Sequence, residues 1–124
     1  MTIVLHPDTE FEQVMAKHPK GHDIILVKIA GAVHGYRNSC PHIGIGLDYG
    51  NGKCLSGPNE LLCSMHGAQF KADTGLCFSG PCVGRSLERI AVRVENGHVV
   101  LCSRISLLVL IYAKANRDAL CIFT

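Results

Sequence analysis

Two short stretches set a thiol beside an imidazole: Cys40-Pro41-His42 and Cys63-Ser64-Met65-His66, with 20 residues between His42 and Cys63. Thiol and imidazole at such spacings are the chemistry of a metal site. One Cys-x-His pair carries little weight. Two pairs flanked by glycine (Gly44, Gly46 and Gly67) carry more, because backbone must pass close to a metal centre without side-chain obstruction. A structural Cys2His2 zinc site satisfies the same donor chemistry. Zinc clips, however, usually pair Cys with Cys and His with His, and they need no glycine-rich double loop.

The elements that must hold these clips read as strands. Ile24 to Ile29, an Ala30-Gly31 break and Ala32 to Arg37 predict a hairpin of period-2 character. A second hairpin is sharper: Ile90, Val92 and Val94 alternate with Ala91, Arg93 and Glu95, Asn96-Gly97 supplies a two-residue turn, and Val99-Val100-Leu101 returns. Shorter strands are expected at Leu61–Cys63 and Ala68–Lys71, with Asp73-Thr74-Gly75 turning towards Leu76-Cys77. Asn38 to Pro58, with Gly44, Gly46, Gly50, Gly52 and Gly57, reads as loop. Thr9-Glu10-Phe11-Glu12 with Val14 and Met15 reads as a capping box opening a short helix. The expected division is one domain over 1–103, then an apolar extension over 104–124 that serves as core or as a self-association surface.

Composition narrows the function. At 124 residues one core is expected, and 48% hydrophobic with 18% charged residues suits a folded globular chain. Twelve basic against ten acidic side chains leave +2 with no basic run, which argues against nucleic acid. Met1 to Asp8 lacks the marks of an export signal, and the longest apolar run, Leu107 to Ala113, is short of the ~18 residues a spanning helix needs. The expectation is a cytoplasmic protein with no membrane span. In that compartment seven cysteines read as metal ligands or free thiols rather than a disulfide scaffold. Cys54, Cys77, Cys82, Cys102 and Cys121 are expected to be buried apolar residues. Cys77 and Cys82 are close enough for a local disulfide, which a reducing cytosol disfavours. Gly80-Pro81 reads equally as a plain turn or as a shield over the metal centre, and His6, His18, His22, His34 and His98 read mostly as solvated.

Cys-Pro-His-Ile-Gly, Cys-Ser-Met-His-Gly-Ala-Gln-Phe, Asp-Thr-Gly and Ser-Gly-Pro together resemble the ligand loops and proline-bearing loop of the Rieske family, particularly its small ferredoxins. The likeness runs from about Asp23 to Ser103. It implies an antiparallel β-sandwich with a small loop-rich cluster-binding subdomain, and one Rieske-type [2Fe–2S] cluster per chain. By the family's pattern Cys40 and Cys63 hold the inner iron, and His42 and His66 hold the outer one. The chain departs from the family in a slightly longer spacer and in the tail after Ser103.

Two imidazoles in place of two thiolates leave the oxidised cluster neutral and the reduced one singly negative. Such ligation places the potential at about −150 to +300 mV. High-potential members join their ligand loops by a disulfide and carry hydroxyl donors after the second histidine. This chain has Ile45 and Met65, and Ala68 and Phe70, at those positions. The resemblance therefore implies a low-potential electron carrier, not an enzyme, that takes electrons from a flavin-dependent reductase. Its outlet is the terminal oxygenase of a ring-hydroxylating system, docked at the exposed His42 and His66. The competing readings are a Rieske subunit of a reductase complex, such as the nitrite reductase small subunit, and the Cys2His2 zinc domain. A self-sufficient oxygenase needs a second iron site for which this length leaves no room.

Overall fold

The computed structural model describes residues 3–41, 44–48 and 50–102. Eleven strands are formed among them: β1 (Ile3–Pro7), β2 (Gln13–Lys17), β3 (Asp23–Ile29), β4 (Ala32–Arg37), β5 (Leu55–Gly57), β6 (Glu60–Leu62), β7 (Gln69–Lys71), β8 (Cys77–Ser79), β9 (Arg89–Ile90), β10 (Val92–Glu95) and β11 (His98–Leu101). They pair antiparallel in three sheets, ordered β1-β11-β10, β2-β3-β4-β9 and β5-β6-β7-β8. No helix is formed among the described residues. The tail from Ser103 onward, with Cys121, lies outside them.

The middle sheet explains why Ile24-Ile25-Leu26-Val27 is an unbroken apolar run rather than an alternating one. All four are fully buried because both faces are covered. Ile24 and Leu26 pack with Ala16, Val99, Leu5 and Val92 towards the β1-β11-β10 sheet. Ile25, Val27 and Tyr36 turn the other way, onto Leu61, Phe70 and the cysteines of the β5–β8 side. The expected sandwich is thus present, with the small β5–β8 sheet as a further layer. Both hairpins form where read: β3 and β4 pair Ile24 with Arg37 through Ile29 with Ala32, and β10 and β11 turn through Asn96 and Gly97, both at positive φ.

Two expectations are corrected. The helix over Thr9 to Met15 does not form, because β2 pairs along its length with β3, from Gln13 opposite Val27 to Lys17 opposite Asp23. The capping-box residues are instead tied to Lys28, whose amide reaches the Glu12 carbonyl at 2.9 Å. The ammonium of Lys28 donates to the Asp8 carboxylate at 2.8 Å and the Thr9 carbonyl at 3.0 Å. The Asn38–Pro58 stretch is not all loop, since Leu55–Gly57 forms β5 and zips onto β6.

The β5–β8 sheet is pinned to the middle sheet by Tyr36. Its hydroxyl donates to the Ala72 carbonyl at 2.8 Å, and burial pushes its pKa up to about 12. The turn before β8 packs close to the ring, so that a methyl at Gly75 would come within 2.7 Å of it.

Candidate metal centre

Cys40 leaves the end of β4 and Cys63 the end of β6, each about 1% exposed, and both belong to one buried cluster. The two loops close in the same way. The Cys40 amide donates to Ile45 O at 2.7 Å, and Cys40 O accepts from Gly44 N at 2.7 Å. The Cys63 amide donates to Ala68 O at 2.8 Å, and Cys63 O accepts from Gly67 N at 3.0 Å. A further bond, Ser64 N to Leu47 O at 2.8 Å, fastens one loop to the other. Each thiol therefore projects from the same position of an equivalent turn. His66 is exposed on the second turn, and His42 lies outside the described residues.

A third loop, from Ser79 to Arg85, covers the pair. Gly80 sits at φ +97°, where an added Cβ would come within 2.8 Å of Ala68 Cα and 3.2 Å of Ala68 N. The Arg85 guanidinium donates to Pro41 O at 3.2 Å, so the third loop grips both others. Cys77 and Cys82 are free thiols with their sulfurs 3.2 Å apart, and burial with the neighbouring Cys77 and Cys40 sulfurs pushes Cys82 up to about 12. Cys54 is the buried thiol expected, pushed up to about 12 chiefly by burial. Cys102 differs from expectation in being disulfide-bonded.

The long spacer is organised by residues the sequence reading passed over. Asp48 accepts from Asn38 Nδ2 at 2.9 Å on one oxygen, and from the Gly50 and Gly52 amides at 3.0 and 2.9 Å on the other. Burial works against its charge, but these bonds outweigh burial and hold the carboxyl below its usual range. Gln13 of β2 clamps the far end, donating to Gly52 O and accepting from Cys54 N, both at 3.0 Å. The available signal was Asp48-Tyr49-Gly50-Asn51-Gly52, a spacing that lets one carboxylate collect successive amides. His18 and His22, read as solvated, stack on each other with centroids 4.3 Å apart.

A sequence profile of the Rieske [2Fe–2S] domain matches residues 4–102. The chain belongs to the Rieske [2Fe–2S] family. It is therefore an iron–sulfur protein, and the donor set fits: two buried thiols on equivalent turns, an exposed imidazole, and glycine backbone where the loops come closest. Over 80 residues it is 31% identical to the ferredoxin component of the alkene monooxygenase system of Xanthobacter autotrophicus, a match covering 64% of this chain and 62% of that one. The fold is that of the Sphingomonas yanoikuyae B1 ferredoxin, with TM-score 0.68 and 21% identity over 84% of this chain and 100% of that one. It also resembles a chain in the complex of reduced oxygenase and oxidized ferredoxin of carbazole 1,9a-dioxygenase, with TM-score 0.63 and 17% identity over 81% and 100% of the two chains.

Proposed function

We propose that this Rieske protein is a ferredoxin that takes one electron from a flavin-dependent reductase and delivers it to a terminal oxygenase in the cytoplasm. Cys40 and Cys63 are assigned to the inner iron, and His42 and His66 to the outer. The observation that carries the reading is the asymmetry of the site, with thiols sealed in the core and His66 exposed at the loop tip. One-electron chemistry is supplied by the cluster when bound. The residues supply the rest: the Cys40 and Cys63 turns fix the sulfurs, the Ser79–Arg85 loop keeps water from them, and the exposed imidazole edge offers the route out.

The tip is also apolar. Ile45, Met65 and Val83, one on each loop, are 37%, 49% and 61% exposed, which suits docking of a protein partner. A relative that is the ferredoxin component of a monooxygenase system supports an oxygenase as that partner. The absence of a hydroxyl at Ala68 and Phe70 supports a potential low in the Rieske range. The functional unit proposed is residues 1–103, with 104–124 serving self-association, and deletion of the tail would then alter the elution volume.

Anaerobic purification followed by absorption and reduced-state EPR tests the assignment. The expected product is red-brown, with an average g below the free-electron value. His42→Cys or His66→Cys would lower the midpoint potential by adding thiolate charge. A colourless zinc protein, or a midpoint well above zero millivolts, would overturn it.

A further inference from the structure

We propose that the Cys82 thiol donates a hydrogen bond to the Cys40 sulfur and thereby raises the reduction potential of the centre that Cys40 helps to hold. The inference rests on the ligand assignment above and adds a tuning residue from the third loop.

Cys82 is 3% exposed, its sulfur lies 3.2 Å from that of Cys77, and it shares a buried cluster with Cys40, whose sulfur is near enough to bear on its thiol. A thiol carries one proton, so the two acceptors compete for it. Cys77 already spends its own proton on the Ser79 carbonyl, at 3.2 Å, and meets Cys82 only as a neutral acceptor. Cys40, once bound to iron, is a thiolate. A hydrogen bond to an ionised acceptor is about twice as strong as one between neutral groups, so the Cys82 proton turns to Cys40.

The loop is built to keep it there. Gly80 packs on Ala68 backbone, Arg85 holds Pro41 beside Cys40, and the Cys77 and Arg85 backbones close the loop through Cys77 N to Arg85 O at 2.8 Å and Arg85 N to Cys82 O at 2.9 Å. Reduction adds negative charge to the ligand sulfurs. A donor aimed at one of them strengthens in the reduced state and favours it. With no hydroxyl at residues 68 and 70, this chain draws a donor from a thiol instead.

Midpoint potentials of purified Cys82→Ala, Cys82→Ser and Cys77→Ala, each first shown by absorption and EPR to hold the cluster, test the proposal. Cys82→Ala is expected to fall below the parent, Cys82→Ser to recover most of the difference, and Cys77→Ala not to fall. If Cys82→Ala does not assemble, Cys82→Val supplies a second variant without a donor and is expected to fall likewise. A cluster-bearing variant without the donor whose potential equals the parent's would overturn the proposal while leaving the ligand assignment intact. A parent protein without an iron–sulfur spectrum would overturn the assignment itself.

Discussion

At Gly80 a single methyl group decides whether the third loop can lie on the second. In Gly80→Ala the new Cβ meets Ala68 backbone, which cannot swing away, at a φ that L-residues resist. The expected cost is about 2–4 kcal/mol from strain and overpacking together. Thermal unfolding should show a midpoint lower by about 10 °C or more, with partial loss of visible absorption; an unchanged midpoint would mean the loops are not in contact. Tyr36→Phe is subtler, because the ring still fills its place against Gly75 but the Ala72 carbonyl loses its donor. Urea unfolding should lose about 1–2 kcal/mol with an unchanged slope. Single residues were the most legible level of this chain, since donor type and spacing single out Cys40 and Cys63, which the fold buries at about 1% exposure, and His66, which it leaves exposed. Cys82 was not legible, because its surroundings depend on which loop folds over which, whereas Asp48 carried a local signal in its spacing to Gly50 and Gly52.

Among the elements, legibility followed the range of the interactions. The two hairpins were readable because their turns are local, Ala30-Gly31 and Asn96-Gly97, with positive φ at all four residues. β2 was not, because its conformation is set by β3, and the local helical spacing of Phe11, Val14 and Met15 lost to that ladder. β5 was hidden in the same way, as three residues among glycines that become a strand only beside β6. Gln13 shows what a misread element conceals: on a strand its side chain crosses to the spacer and holds Gly52 and Cys54. Gln13→Ala should cost about 1–2 kcal/mol and accelerate hydrogen exchange at the Cys54 amide more than at the β10–β11 amides. Uniform acceleration, or none, would remove the clamp from the account.

For the whole molecule, acid and docking are the two tests. His18 and His34 are held below 6.5, in each case first by burial, and Asp48 below 3.8. For all three the unfolded chain binds protons more readily than the fold, so stability drops as pH drops. The histidine contribution is complete above about 6.5 and is lost as pH falls through their folded values; Asp48 follows below 3.8. The urea midpoint should therefore decline from pH 7.5 to 5.5, and a flat profile would contradict the partial burial of these histidines. Docking draws on the other end of the physics. A net charge of +2 provides little long-range steering, so the proposed encounter with an oxygenase would draw on burial of Ile45, Met65 and Val83. Ile45→Gln and Val83→Gln add no charge and should leave the midpoint potential in place, yet each should slow electron transfer to the proposed oxygenase partner by about tenfold if it removes roughly 1.4 kcal/mol of contact. Val94→Gln makes the same change at an exposed residue of β10, in the sheet on the opposite side of the middle layer, and should not alter the rate. Equal rates for all three variants would move the docking surface away from the loop tip, and with it the role of His66 as the way out.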